Sequence, residues 1–176
     1  APCSSHVLSL LTPDYKIIDY YYNPNITNRE EYEKRVAELK RFIEEFPHEN
    51  PVEFLEGTYE PEVYLEAVKG HEEDPERGER CEICFRLRLY EAAKKAKESG
   101  ADCFATTLTI SPQKDAKLLN RIGEEAAEKY GVRYLPSDFK KKDGYKHSIE
   151  LSKEYGLYRQ DYCGCAFSKR ERENRR

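Results

Sequence analysis

The chain of 176 residues has no methionine and no tryptophan, and only four histidines. With no initiating methionine, Ala1 need not be the first residue of the gene product. No apolar run approaches the roughly 20 residues needed to cross a bilayer, and no apolar leader with a cleavage site opens the chain, so a cytoplasmic protein is expected. No glycine-rich phosphate loop is present, and ATP use is therefore not expected. Nor is there an excess of positive charge. Thirty Lys and Arg against 34 Asp and Glu leave a net charge of -4, which argues against a generally basic nucleic-acid coat. Two local basic patches remain: Lys140, Lys141 and Lys142 with Lys146, and the tail from Lys169 to Arg176. Solvated surface is the ordinary reading of such runs.

What is present is enough for a core. Charged residues make up 36 % and mean hydropathy is -0.92, yet 14 Tyr and 7 Phe supply large apolar surfaces. No internal repeat or low-complexity linker divides the chain, so one domain over residues 1–176 is expected. Lys16 to Tyr22 is a β-branched and aromatic run stopped by Asn23-Pro24-Asn25, which reads as a strand entering a loop. Thr27 and Glu30 have capping-box spacing, and Tyr32, Val36, Leu39, Ile43 and Phe46 then recur at helical spacing before Pro47. A short strand over Val52 to Leu55, a short helix over Pro61 to Lys69 and a long helix from Cys81 to Ser99 follow. Cys103 to Ile110 is the strongest strand signal. After it come a helix over Asp115 to Lys129, a strand over Val132 to Leu135 and a helix over Tyr145 to Tyr155. This alternation predicts βαβ units, a mainly parallel sheet and a three-layer α/β sandwich.

In such a sheet chemistry belongs at the carboxyl ends of strands. Cys81 and Cys84 form Cys-x-x-Cys at a helix start, where free amides and the macrodipole favour thiolate, with Arg80 and Arg86 adding positive charge. Cys163 and Cys165 form Cys-Gly-Cys, in which Gly164 lets the backbone bend so that both sulfurs face one centre. Cys3 precedes a predicted helix, and Cys103 opens an apolar strand as a small core residue. Five thiols in three clusters predict a metal or redox centre. A Cys₄ zinc site remains open on spacing alone. Disulfides suit a cytosolic chain poorly, and a thioredoxin-like pair would leave Cys163 and Cys165 idle. The histidines at 6, 48, 71 and 147 have no ligand-like spacing; His6 and His147 are weak candidates.

Several segments together resemble the QueH-type epoxyqueuosine reductases nearly end to end. They are Ala1-Pro2-Cys3-Ser4, Tyr22-Asn23-Pro24-Asn25-Ile26, Glu76-Arg77-Gly78 with Arg80-Cys81 and Cys84, Thr106-Thr107-Leu108, Ser111-Pro112, Asp138-Phe139-Lys140-Lys141, and Tyr158-Arg159-Gln160 with Tyr162-Cys163-Gly164-Cys165. The resemblance implies a PP-loop/HUP-like (Rossmann-like) architecture, with Ala1-Pro2-Cys3-Ser4 standing where a phosphate loop would be. It implies reductive removal of the epoxide oxygen from epoxyqueuosine at the wobble position of tRNA, through a [4Fe-4S] cluster and a second, mononuclear iron. Cys81, Cys84, Cys163 and Cys165 are the expected cluster ligands. Cys3 and Asp138 are added as metal ligands, although capping or surface display is an equal reading of Asp138. Tyr162 and Arg159 are expected at the substrate, as are Thr106, Thr107, Ser111 and Lys114 along the pocket. Tyr20, Tyr22 and Tyr158 are further aromatic candidates, with the core the preferred place for Tyr20. Relatives read His-x-Cys-Cys immediately before Ala-Pro-Cys, at the end of a first apolar strand; that strand is expected upstream of Ala1. The partners are tRNA carrying epoxyqueuosine and an unidentified electron donor. The competing readings are an iron–sulfur tRNA thiolase, which would need an ATP loop, and a zinc-stabilised RNA-binding module.

Overall fold

The computed structural model describes residues 1–176. Seven α-helices and four short strands form a mixed α/β fold: α1 (Pro2–Leu11), β1 (Ile17–Tyr21), α2 (Arg29–Glu45), β2 (Val52–Glu56), α3 (Pro61–Ala67), α4 (Glu79–Glu98), β3 (Cys103–Phe104), α5 (Ala116–Tyr130), β4 (Arg133–Tyr134), α6 (Gly144–Glu154) and α7 (Ala166–Asn174). No helix is long and apolar enough to cross a membrane.

Both strand pairings are parallel, as the alternation of elements predicts. β1 pairs with β2 with Ile17 opposite Val52 and Tyr21 opposite Glu56, and β3 pairs with β4 with Cys103 opposite Arg133. They form two separate two-stranded sheets in place of one continuous sheet. Part of the difference lies in the segment predicted as the strongest strand, of which only Cys103–Phe104 is extended. Leu108–Ile110 turns into a 3₁₀ helix, because the Thr106 hydroxyl accepts the Leu108 N–H at 3.1 Å and offers the backbone a local alternative to a ladder.

Helix starts follow side-chain chemistry. Asn28, one residue beyond the predicted Thr27, caps α2 by accepting the Glu31 N–H at 2.9 Å. Asp115 caps α5, which ends at Gly131 in the left-handed region with φ 65°. Helix α7 has no counterpart among the predicted elements. Its sequence AFSKREREN offers almost no apolar period, and the Cys165 sulfur serves as its cap by accepting the Ser168 N–H at 3.3 Å.

The core has two main bodies. Phe85, Leu89 and Ala93 of α4 pack on Leu119, Ile122 and Ala126 of α5, over Phe104 and Tyr134. Tyr32, Val36, Leu39, Phe42 and Ile43 of α2 pack on Tyr21, Leu8 and Leu157. A Cβ on Gly123 would run into the Tyr134 ring, so this glycine is what lets α5 lie directly on β4. A third, smaller cluster joins α3 to the thiols: Tyr64, Val68, Cys84 and Cys165.

Candidate functional site

Helix α4 presents Cys81 and Cys84 from its first two turns, and the loop before α7 presents Cys163 and Cys165. All four line one cavity of about 160 Å³, together with Asn25, Tyr64, Glu76, Arg77, Arg88 and Lys114. Two elements some 80 residues apart in sequence thus converge on a shared space, and three cations stand among its walls.

The two halves are held differently. Arg80, 1 % exposed, is tied through its guanidinium to the Glu72 and Asp74 carbonyls and to the Glu171 carboxylate, which anchors the loop before α4 to α7. The Arg77 N–H donates to the Cys81 sulfur at 3.3 Å. On the other side Arg35 of α2 donates to the Cys163 carbonyl at 2.9 Å and to the Tyr162 carbonyl at 3.2 Å, while its Nε donates to Glu31 at 2.7 Å. The bend between the two cysteines needs Gly164, whose φ is 122°. A Cβ there would meet Ile26 Cγ1 at 2.8 Å and Arg35 Nη1 at 3.1 Å.

The thiols differ in proton affinity. Cys163 and Cys165 lie 3.6 Å apart, sulfur to sulfur. Their mutual hydrogen bond holds the Cys163 thiol well below its usual range and pushes that of Cys165 up. Burial pushes Cys84 up to about 11 and raises Cys81 as well, the latter opposed by the Arg77 N–H.

Cys3 does not line this cavity. It packs at the edge of a separate cluster of Val7, Ile110 and Phe139. Asp138, next to Phe139, is ion-paired with Lys140 at 2.8 Å and faces Lys141 at 3.9 Å. Tyr162 has the guanidinium carbons of Arg35 and Arg172 each 5.3 Å from its ring centroid. Arg159 is exposed, with Nη1 donating to the Ser152 hydroxyl at 3.0 Å. The Tyr158 hydroxyl is held by Glu31 and its ring lies beneath Lys34. Tyr20 and Tyr22 stack on each other with centroids 6.1 Å apart, outside the thiol cavity. Of the pocket candidates that follow β3, Lys114 lines the cavity, while Thr106, Thr107 and Ser111 do not. His6 and His147 face each other with Nδ1 atoms 2.8 Å apart. His71, Asp74 and Glu79 also bring ligand atoms within 4.8 Å of one another, but Asp74 there accepts the Arg80 N–H and so closes the turn into α4.

A family model described as epoxyqueuosine reductase QueH matches residues 1–171. The chain belongs to the epoxyqueuosine reductase QueH family, an oxidoreductase family. It is 45 % identical over 170 residues to the epoxyqueuosine reductase QueH of Streptococcus pyogenes serotype M1, covering 96 % of this chain and 67 % of that protein. Against the Staphylococcus epidermidis QueH the figures are 42 % over 172 residues, 96 % of this chain and 72 % of the relative. Against the Thermotoga maritima QueH they are 38 % over 170 residues, 94 % and 88 %. Membership in the QueH family spans the α4 cysteines and the Cys-Gly-Cys loop alike, since the matched residues run past Cys165.

Arg35, Tyr64 and Asn25 are site residues that sequence reasoning gave no role. A signal existed for Arg35, which falls at i+3 from Tyr32 and so on the buried face of α2, where an arginine needs partners. Asn25 belongs to the Tyr22-Asn23-Pro24-Asn25-Ile26 segment, where its residue type reads only as a turn former.

Proposed function

We propose that this chain removes the epoxide oxygen of epoxyqueuosine at the tRNA wobble position, yielding queuosine and water. The observation that carries the reading is the convergence of four thiols, from α4 and from the loop before α7, on one cavity whose walls include Arg77, Arg88 and Lys114. Family membership supplies the reaction; the cavity supplies a place for it. We further propose that these elements belong to a PP-loop/HUP-like sandwich in a single cytoplasmic domain. Each two-stranded sheet here is parallel, as in that architecture.

The residues fit a [4Fe-4S] cluster. Four thiols are the donor number a cubane takes, and soft sulfur donors suit iron–sulfur or zinc. A tetrahedral zinc, with Zn–S bonds of roughly 2.3 Å, would take the same four thiols, and metal and sulfide analysis separates the two. Cys81, Cys84, Cys163 and Cys165 would hold the cluster. Cys3 and Asp138 are the candidates for a second iron, since both adjoin Phe139. When bound, these groups supply single electrons and a Lewis acid for the epoxide oxygen. Overall, the epoxide takes two electrons from a low-potential one-electron donor and two protons, the C–O bonds break, an alkene forms and the oxygen leaves as water.

The chain's own residues prepare that exchange. Arg35 and Gly164 set the direction of the Cys163 and Cys165 sulfurs, and Arg80 fixes the loop entering α4. Lys114 and Arg77 place positive charge beside thiolates and beside an RNA backbone. Arg159, exposed next to Tyr158, offers a phosphate contact, and Tyr162 abuts Cys163 as a substrate-facing aromatic.

Anaerobic purification followed by iron and sulfide analysis, then incubation with epoxyqueuosine-containing tRNA and a low-potential reductant, tests the reading. A brown protein that converts the nucleoside to queuosine is expected. A colourless protein with stoichiometric zinc, or a fully loaded cluster that forms no queuosine, refutes it.

A further inference from the structure

We infer that Asn25 is a substrate-reading residue: its side-chain carbonyl accepts a hydrogen bond from an O–H donor on the epoxide-bearing ring of the modified base. The inference rests on the epoxide-reductase reading and names which group recognises the ring.

Asn25 is 3 % exposed and lines the same cavity as the four cysteines. Its Oδ1 is buried and has no hydrogen-bond partner in the protein. Such a group gives up its solvation for nothing in return, and the few that occur in folded proteins call for an explanation. The neighbouring Asn23 is the contrast, because its Oδ1 accepts from the Arg88 guanidinium. The turn gives Asn25 little freedom to find a partner. The Ile26 N–H donates to the Asn23 carbonyl at 3.2 Å, the Tyr59 hydroxyl donates to the Ile26 carbonyl at 2.7 Å, and Ile26 is 2 % exposed.

An unpaired carbonyl selects for a donor. Cysteines that hold a metal centre do so as thiolates, which accept hydrogen bonds and cannot supply one. Arg77, Arg88 and Lys114 also line the cavity, yet none donates to Asn25, and Arg88 is engaged by Asn23. The complement is therefore a ligand O–H, and a ring carrying both an epoxide and hydroxyl groups has it. A site built to hydrogen-bond a substrate hydroxyl discriminates strongly against ligands that lack it, because the protein group is then left unpaired.

The test uses the metal-loaded protein and its near-isosteric variant Asn25→Leu, with Asn25→Ser as a second, smaller replacement. Binding is measured to tRNA bearing epoxyqueuosine and to the same tRNA bearing guanosine, beside the melting temperature, iron content and electron paramagnetic resonance spectrum. We expect the Leu variant to melt no lower than the parent, since it loses an unsatisfied buried carbonyl, and to hold the same iron with the same spectrum. Its preference for the modified tRNA should fall about tenfold or more, with KM rising to match. The Ser variant should also lose preference. An unchanged preference in both variants overturns the inference. So does a lowered melting temperature together with an altered spectrum, which would make Asn25 a support of the thiol loop. A parent protein that shows no preference for the modified tRNA refutes the enzyme reading itself.

Discussion

Asp19 shows how one residue can work against stability. It lies in β1 with its Oδ2 buried and unpartnered, and burial raises its carboxyl to about 6. The folded chain therefore holds this proton more tightly than the unfolded chain, whose carboxyl titrates near 3.8. Stability is full below about pH 4, falls as pH rises through about 6, and stays reduced above it. Asp19→Asn should raise the melting temperature at pH 7.5, by at most about 3 kcal/mol of stability. At pH 4 the two proteins should melt together. Thermal melts of both proteins at the two pH values check this; an equal gap at both would assign the effect to packing and not to ionisation.

Among the elements, the Cys-Gly-Cys loop depends most on its neighbours. Arg35 grips two successive carbonyls of the loop from α2, and Gly164 supplies a backbone angle that a side chain would strain. Gly164→Ala should leave the far-ultraviolet circular dichroism intact while disturbing both sulfurs. The expected result is a weakened and shifted thiolate charge-transfer band when Co²⁺ is added to the reduced protein. A spectrum identical to the parent's would show that the loop tolerates the Cβ. Arg35→Met should have the same effect more strongly, because it also leaves two carbonyls without donors. Neither element announces this arrangement in sequence. The pairing of Arg35 with Tyr162 and Cys163 spans more than 120 residues, and α2 reads merely as an amphipathic helix. By contrast, α2, α4, α5 and α6 were legible close to their observed bounds, because caps, stops and apolar periods lie within each segment. The failed element, Cys103 to Ile110, is one where a threonine side chain competes locally with strand pairing.

Across the whole molecule, the thiols tie together parts that otherwise share little core. Cys84 is carried by α4, which is rooted on α5, while Cys165 caps α7, and the two meet in the small cluster with Tyr64 and Val68, beside the Arg80–Glu171 ion pair. A bound metal centre would cross-link these parts in the folded state alone, and binding restricted to the folded state stabilises it. Removing the metal with a chelator under reducing conditions should lower the melting temperature of the parent by several degrees. Cys81→Ser should begin lower and respond less to the chelator. Calorimetry of the four samples decides, and equal melting of loaded and stripped protein would show that the thiols need no metal to hold the parts together.

Local chemistry in the sequence determined helices α2, α4, α5 and α6, the parallel sense of the strands, the cysteine-bearing segments and, through its motifs, the family. Those properties are written within short windows. Only the tertiary structure decided that Cys81, Cys84, Cys163 and Cys165 share a cavity while Cys3 lies in another cluster, that the buried Arg35 grips the loop behind them, and that an unpaired asparagine lines the wall. Convergence of thiols, burial of a carbonyl and the grip of one helix on a distant loop depend on how elements pack. No single segment encodes that packing.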